Sequence, residues 1–217
     1  MNFQRARFNM VEQQIRTWDV LDQRVLDIIR DIPREDYVPE AFRNLAYADT
    51  SIPLEDGEVM MPPRVEARLL QALQLKPDDR VLEVGTGSGY LTALLAQLAG
   101  RVVSVEISET LAARARRALE AHHVKNVVVE VGDAVRGWAS AAPYDAIAVT
   151  GSLPMMEEQL QRQLKRGGRI FVIVGQEPAM EALLITRIGQ DDWSRESLFE
   201  TVLPPLRGAR RPDRFVL

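Results

Sequence analysis

The feature that most constrains the fold is a run of three alternating glycines that follows an apolar segment. Residues 80–85 read RVLEVG and predict a buried strand, and the glycine run over 85–89 reads GTGSG. Glycine adopts left-handed backbone conformations at little cost and lets a ligand approach the main-chain N–H groups closely. Because helical spacing begins at Tyr90, the glycines are predicted to form a tight turn between a strand and a helix.

Strand-like and helix-like segments alternate through the rest of the chain. Strands are predicted at 80–85, 101–107, 126–132, 144–151 and 168–175, with two more at 182–189 and 197–203. Helices are predicted at 90–99, 109–122 and 155–165. Strands that alternate with helices at this spacing build a mostly parallel sheet with helices on both faces. The sequence therefore predicts an α/β, Rossmann-like fold.

The amino-terminal region has a different pattern and predicts a helical extension. Residues 20–32 place apolar side chains at helical spacing, with Asp19 or Asp22 as the candidate cap. A proline-rich segment without a clean period predicts a loop over 49–64. A further helix is predicted over 65–75, directly before the first strand of the sheet.

Length and composition limit the class of protein. A chain of 217 residues suits one domain, in which 1–75 would form the helical region and loop, and 76–217 the ligand-binding core with the carboxyl-terminal strands. The net charge of -4 gives no reason to expect nucleic-acid binding. The chain has no cysteine, no signal-like apolar start and no apolar run of membrane length. We therefore expect a cytoplasmic protein with no metal site and no membrane contact.

The glycine turn also indicates a type of ligand. Sheets of this kind bind ligands at the carboxyl ends of their strands, where the strand order reverses. A dinucleotide fingerprint would need glycine where Tyr90 stands, which argues against a nicotinamide cofactor. A Gly-x-Gly-x-Gly turn preceded by an acidic residue instead resembles the pattern of enzymes that use S-adenosyl-L-methionine. In that pattern Glu83 would meet the amino-acid end of the cofactor.

Acidic residues at the ends of the next two strands agree with this interpretation. Glu106 ends the second strand, where a carboxylate accepts hydrogen bonds from both hydroxyls of a ribose; the alternative is a solvated acid at a strand end. Asp133, within Gly-Asp-Ala at the end of the third strand, resembles the adenine-reading position of class I methyltransferases; the alternative is a turn aspartate. The predicted cofactor-binding residues are Glu83, Gly85, Thr86, Gly87, Ser88, Gly89, Glu106, Ile107, Asp133, Ala134 and Thr150.

Several segments, taken together, resemble one family, the protein-L-isoaspartate O-methyltransferases. The segments are PREDYVPE (33–40), AYAD (46–49), VLEVGTGSGY (81–90), YDAI (144–147) and LKRGGR (164–169). The resemblance implies a Rossmann-like methyltransferase fold and a repair activity that methylates the carboxylate of L-isoaspartyl residues in damaged proteins or peptides. A carboxylate is already ionised at neutral pH, so this chemistry requires no strong general base.

The sequence departs from the family pattern in the loop before the sheet. The family reads approximately Gly-Gln-Thr-Ile-Ser-Gln-Pro where this chain reads GEVMMPP (57–63), so Met61 stands at the position of the family serine. Arg64 is the candidate for a substitute charge, because arginine pairs well with carboxylates; the alternative is an exposed structural arginine. Further along, Arg207 is a candidate to approach the cofactor, and Arg214 falls in a basic tail.

The missing loop hydroxyl leaves three functions open. The first is methylation of isoaspartyl carboxylates, and the second is methylation of a different acceptor by the same fold. The third is a regulatory protein that binds the cofactor without catalysis. The sequence does not indicate the oligomeric state.

Overall fold

The computed structural model describes residues 2–211 and has a seven-stranded sheet at its centre. The helices are α1 (Phe3–Met10), α2 (Gln23–Asp31), α3 (Pro63–Leu73), α4 (Tyr90–Leu98), α5 (Glu109–Ala121) and α6 (Glu158–Arg162). The strands are β1 (Ile52–Pro53), β2 (Val59–Met60), β3 (Arg80–Val84), β4 (Arg101–Glu106), β5 (Val127–Val131), β6 (Tyr144–Leu153), β7 (Leu164–Gln176), β8 (Ala179–Arg187) and β9 (Trp193–Glu200). Within the described residues, no helix is both long enough and apolar enough to cross a membrane.

The order of the strands creates a crevice at one edge of the sheet. The order is β5-β4-β3-β6-β7-β8-β9, with the first five strands parallel and the last two antiparallel. The chain leaves β3 toward β4 and β5 on one side and returns to β6 and β7 on the other. The order therefore reverses between β3 and β6, where sheets of this type bind ligands. The predicted mostly parallel sheet is confirmed.

Two hydrophobic clusters lie on opposite faces of the sheet. Helices α2 to α5 pack on one face against strand residues such as Val81, Val102 and Phe171. The other face buries residues such as Leu82 beneath α6 and the segment 134–142. Successive side chains of a strand point to opposite faces, which explains why the neighbours Val81 and Leu82 belong to different clusters.

Two carboxyl-terminal elements differ from the sequence-based prediction. The helix predicted over 155–165 is limited to α6, because the N–H of Tyr144 donates to the carbonyl of Gln163 (2.9 Å) and the next residue already enters β7. The strand predicted over 197–203 is β9, which starts earlier and ends earlier. Leu203, where the predicted strand ended, is buried although it lies beyond β9. Its carbonyl accepts a hydrogen bond from Ser152 Oγ at 2.8 Å.

The amino-terminal extension is helical, as predicted, but its loop has some regular structure. Asp22 is the cap of α2 and accepts from the N–H of Arg24 at 2.9 Å. Within the predicted loop, β1 and β2 form a short antiparallel pair. Helix α3 begins at Pro63, two residues before the predicted start, because proline suits the first turn of a helix.

The glycine turn between β3 and α4 has the predicted left-handed backbone geometry. Gly85, Gly87 and Gly89 have φ angles of 93°, 53° and 84°. These values lie in the left-handed region that other residues rarely adopt. Gly89 also lies against α5, so that a Cβ atom at this position would come within 3.2 Å of the Cβ of Ala115. The turn therefore requires glycine at this position both for its backbone and for helix packing.

Replacing Gly89 with alanine should lower the free energy of unfolding by about 1–3 kcal/mol, because it strains the backbone and crowds Ala115. Gly167→Ala is the matched control. Gly167 has a φ of 80°, but no described atom lies within 4 Å of an added Cβ. Urea unfolding of both variants separates the two effects. Equal losses would show that the contact with Ala115 contributes nothing.

Candidate active site

A cleft opens at the carboxyl ends of β3, β4, β5 and β6, where the strand order predicts it. Four of the predicted residues from four different strand ends line it: Gly85, Glu106, Asp133 and Thr150. Its outer wall comes from two segments far apart in the sequence, the loop around Val59 and the carboxyl-terminal residues 203–207. The sheet therefore brings together side chains that the sequence placed at successive strand ends.

Glu106 is held in place by main-chain donors on both of its carboxylate oxygens. Its Oε2 accepts from the N–H of Gly87 at 2.8 Å, and its Oε1 accepts from the N–H of Ser108 at 3.0 Å. The side chain is buried, yet it lines the cleft. Each carboxylate oxygen has a second lone pair available for a ligand hydroxyl. The next residue, Ile107, is 40% exposed and also lines the cleft.

Asp133 lies at the opposite end of the cleft. Its Oδ1 accepts from the N–H of Val135 at 2.9 Å, which fixes the direction of the carboxylate. Gly208 passes so close that a Cβ atom there would come within 2.9 Å of Asp133 Oδ2. Ala134 lines the same end. The end of the cleft around Asp133 is thus a narrow slot closed by the carboxyl-terminal segment.

Contacts from neighbouring strands hold the glycine turn. Thr150 Oγ1 donates to the carbonyls of Val84 (2.9 Å) and Gly85 (2.7 Å), and a Cβ atom on Gly85 would overlap this hydroxyl. Thr86 Oγ1 lies 2.6 Å from Ser104 Oγ on β4. Ser88 Oγ accepts from the N–H of Tyr90 at 3.2 Å at the start of α4. Of the predicted turn residues, Gly89 faces α5, whereas the other four line the cleft or its side cavity.

Glu83 lies beneath the turn and is fully buried. Its Oε2 accepts from Thr92 Oγ1 (2.5 Å) and Ser104 Oγ (2.6 Å), while its Oε1 has no hydrogen-bond partner among the described residues. Burial disfavours the charged form and raises the pKa of Glu83 to about 8, although the two hydroxyl donors oppose the shift. An orphaned buried oxygen beside a glycine turn is suited to a ligand with a hydrogen-bond donor.

A side cavity extends from the cleft past the glycine turn. It is lined by Met60 and Met61 on one side and by Glu83 and Glu66 on the other. The cleft and the cavity share Val59, Gly85, Gly87 and Thr150 in their walls, so the two spaces are adjacent. The side cavity therefore lies next to the part of the cleft that the glycine turn lines.

The position of the family serine is occupied by a buried methionine. Met61 is 3% exposed, and its carbonyl accepts from Arg34 Nη2 at 2.6 Å. Arg34 is itself fully buried; it forms an ion pair with Glu66, and its guanidinium lies 4.8 Å from the centroid of the Tyr90 ring. The backbone of the loop is thus fixed by a buried ion pair that needs no side-chain hydroxyl.

Arg64 does not reach the cleft. Its Nη1 lies 2.8 Å from Asp49 Oδ2, and its guanidinium lies over the Trp18 ring, 4.0 Å from the centroid. Among the described residues, the lining of the cleft and of its side cavity does not include Arg64. This geometry corrects the prediction that Arg64 replaces the serine, because an ion pair and a stacking partner hold its charge elsewhere.

The loop over the cleft is anchored by four ionic or polar contacts. Arg207 donates to Glu58 Oε1 and to the carbonyl of Asp56, both at 2.6 Å. Arg114 pairs with Glu55 at 2.8 Å, and Ser108 Oγ donates to the carboxylate of Asp56. Arg207 therefore reaches the cleft, as the sequence suggested. The basic tail that follows is described only in part, and Arg214 lies outside the described residues.

Sequence reasoning missed several residues around the cleft. Arg34 was noted only as part of a family motif, and neither Glu66 nor Glu58 was singled out. The available signal was a charged residue among apolar neighbours, as in the α3 segment VEARLL (65–70). A charge in such a segment usually lies on a solvated face, so only the fold reveals that this one is buried.

The fold and the cleft are those of the Rossmann-like methyltransferases, with the glycine turn and two acidic strand ends in their expected order. Residues 5–210 match the family described as protein-L-isoaspartate(D-aspartate) O-methyltransferase. The match covers nearly the whole chain, and the chain belongs to this family.

Two similar proteins agree with the family assignment, and a third shares the fold. A protein-L-isoaspartate O-methyltransferase of Rhodopseudomonas palustris is 43% identical over 201 residues, which cover 92% of each chain. A solved structure named protein-L-isoaspartate O-methyltransferase superposes with a TM-score of 0.80 at 26% identity, over 93% of this chain and 66% of that chain. A structure from Plasmodium falciparum, described as a putative member with S-adenosyl-L-homocysteine bound, has a TM-score of 0.79 at 20% identity, over 95% of this chain and 99% of that chain.

The buried carboxyl of Glu83 makes stability depend on pH. The pKa of Glu83 in the folded protein is about 8, above its ordinary value of 4.5. Its contribution to the free energy of unfolding is therefore complete below pH 4.5 and is lost as the pH rises toward 8. In the parent protein, Glu83 should make the unfolding free energy fall by up to about 1.4 kcal/mol per pH unit over that window. Glu83→Gln should remove this part of the decline. Urea unfolding at several pH values measures the slope. Glu130→Gln, at an exposed position on β5, is the control, and an identical slope in Glu83→Gln and the parent would contradict the assignment.

Proposed function

We propose that this protein is an S-adenosylmethionine-dependent methyltransferase that methylates L-isoaspartyl carboxylates in damaged proteins and peptides. Membership of the family supports this function. The main observation in its favour is that the glycine turn, Glu106 and Asp133 lie at three successive strand ends and line the same cleft. We further propose that the chain acts as one domain in the cytoplasm, in keeping with its lack of cysteine.

The residues that line the cleft fit the donor from one end to the other. Among the described residues Asp133 Oδ2 accepts no hydrogen bond, so it suits the exocyclic amine of adenine, and each oxygen of Glu106 has a second lone pair for a ribose hydroxyl. The orphaned Oε1 of Glu83 suits the amino group of the methionine end, directly or through water. The glycine turn lies between them, where a side chain on Gly85 would overlap Thr150.

The chemistry asks little of the protein beyond positioning. The bound donor supplies an electrophilic methyl group on a sulfonium. The acceptor carboxylate is already ionised at neutral pH, so no residue has to take a proton from it. Holding two reacting groups in line accounts for up to about 7–11 kcal/mol of a barrier. The buried, apolar side chains of Met60 and Met61 form part of the wall of the side cavity.

A labelled-methyl assay tests the proposal. The protein, incubated with labelled S-adenosylmethionine, should transfer label to an isoaspartyl peptide and not to its aspartyl counterpart. Met61→Ser serves as the comparison variant, because it introduces the hydroxyl of the family loop at the same backbone position. Tight donor binding without transfer by the parent protein would favour a silent cofactor-binding protein. Transfer by Met61→Ser alone would identify the loss of the hydroxyl as the cause.

Removing the carboxylate of Glu106 should weaken donor binding. Glu106→Ala leaves two main-chain donors and two ribose hydroxyls without their acceptor, and we expect a loss of about 1–3 kcal/mol in binding free energy. Isothermal titration calorimetry with S-adenosylmethionine measures it. Glu109→Ala, an exposed residue three positions further along in the first turn of α5, is the control. Unchanged affinity in Glu106→Ala would contradict the ribose assignment.

A further inference from the structure

The loop in the outer wall of the cleft contains an acidic segment, EDGE (55–58), which we call the strap. Each of its three carboxylates is held by a donor from another part of the chain. The donors are Arg114 and Ser108, at α5, and Arg207 in the carboxyl-terminal segment. Glu58 also stands where the family pattern has glutamine. The strap is therefore fixed by residues far away in the sequence, through charges that the family pattern does not require.

Asp56 is the residue at which these contacts meet. Its carboxylate accepts from Ser108 Oγ, and its main-chain carbonyl accepts from Arg207 Nη2 at 2.6 Å. Ser108 in turn donates its N–H to Oε1 of Glu106 at 3.0 Å. A polar chain therefore runs from the carboxylate at the end of β4, through Ser108 and Asp56, to the carboxyl-terminal segment.

The backbone of the strap has a strained shape that these contacts hold in place. Asp56 has a φ angle of 59°, in the left-handed region that few residues other than glycine adopt, although aspartate tolerates it better than most. Gly57 follows with a φ angle of 77°. Such a conformation costs free energy for a residue with a side chain, so it persists only where the surroundings fix it. Without its partners, Asp56 would relax and the strap would move with it.

The strap joins the two segments that form the outer wall of the cleft. Glu58 and Arg207 both line the cleft, and Arg207 Nε donates to Glu58 Oε1 at 2.6 Å. Among the described residues, the lining does not include Asp56, whose side chain is exposed. Asp56 therefore holds the wall together from outside the space that a ligand would fill.

We propose that Asp56 is a positioning residue that sets how fast the donor enters the cleft and the product leaves it. The inference rests on the function proposed above. Asp56 touches neither ligand; it holds the strap against Ser108 and Arg207, and ligands pass when these contacts break. Because lid opening and product release limit turnover in many enzymes, such a residue controls a rate without touching the reacting atoms.

This role has a kinetic signature of its own. The strap is held by groups of the chain itself, so the same opening precedes entry and release. Loosening the strap should raise the association and dissociation rate constants by the same factor, and the dissociation constant, which is their ratio, should stay the same. Damage to the cleft, or the loss of a contact with the ligand, changes the dissociation constant instead.

A chase experiment with S-adenosylhomocysteine, which does not react, tests the proposal. Excess unlabelled ligand displaces the bound labelled ligand and gives the dissociation rate constant, while calorimetry gives the dissociation constant. Asp56→Gly removes the side chain and still permits the left-handed backbone. Release should become about fivefold faster, the effect of losing one hydrogen bond, with the dissociation constant unchanged. Asp56→Asn keeps an oxygen acceptor for Ser108 and should release the ligand at nearly the parent rate.

A second left-handed aspartate provides the matched control. Asp19 has a φ angle of 58° but lies in the amino-terminal extension, and it is absent from the described lining of the cleft. Asp19→Gly makes the same chemical change and should alter neither the release rate nor the dissociation constant. Equal acceleration in Asp19→Gly and Asp56→Gly would overturn the proposal.

A variant on the donor side of the hydrogen bond tests the same contact independently. Ser108→Gly removes the hydroxyl that Asp56 accepts from but keeps the N–H that Glu106 accepts from. Glycine also suits the cap of α5, which Ser108 now forms. Release should accelerate as in Asp56→Gly. This variant decides the question even if Asp56→Gly does not fold.

The outcomes separate the two proposals. If the parent protein binds neither S-adenosylmethionine nor S-adenosylhomocysteine, the proposed function fails and the role of Asp56 fails with it. If the parent binds them, but Asp56→Gly and Ser108→Gly leave release unchanged or raise the dissociation constant along with it, the function stands and the role of Asp56 is refuted.

Discussion

The carboxylate of Glu106 is the interaction on which the site depends. It joins the end of β4 to the turn that follows β3, since one oxygen accepts from the N–H of Gly87 and the other from the N–H of Ser108. The three glycines of this turn have no side chains to stiffen it, so much of its shape has to come from neighbouring strands. Thr150 holds it from the other side through two main-chain carbonyls. The floor of the cleft is therefore rigid only because the parallel sheet places these strand ends side by side.

The sequence predicted the parts of the structure that depend on local patterns. Alternation of apolar strands and helices identified the sheet, and the positions of Glu106 and Asp133 at strand ends followed directly from it. The same reasoning failed for α6, where the competing interaction is a main-chain bond between Tyr144 and Gln163 that no periodicity reveals. It also failed for Arg64, because the partners that hold its charge, Asp49 and Trp18, come from other segments.

Contacts between distant residues could not be predicted in this way. Arg34 and Glu66 are 32 positions apart, and Arg207 and Glu58 are 149 apart. Both pairs join charged residues that appear, in the sequence, to be ordinary surface groups. The first pair also explains how the loop keeps its shape without the family serine. A buried ion pair adds little net stability compared with apolar packing, but it favours one backbone arrangement over others, and here that arrangement carries Met61.

The contact between Arg207 and the loop has a consequence for the synthesis of the protein. Glu58 of the loop leaves the ribosome 149 residues before Arg207. The sheet can assemble from β3 to β7 before Leu206 and Arg207 are available, yet the outer wall of the cleft is made of these residues. A nascent chain therefore has the glycine turn and both acidic strand ends without an enclosed cleft. The cleft therefore gains its outer wall only after residues 203–207 have been made, later than every strand of the sheet.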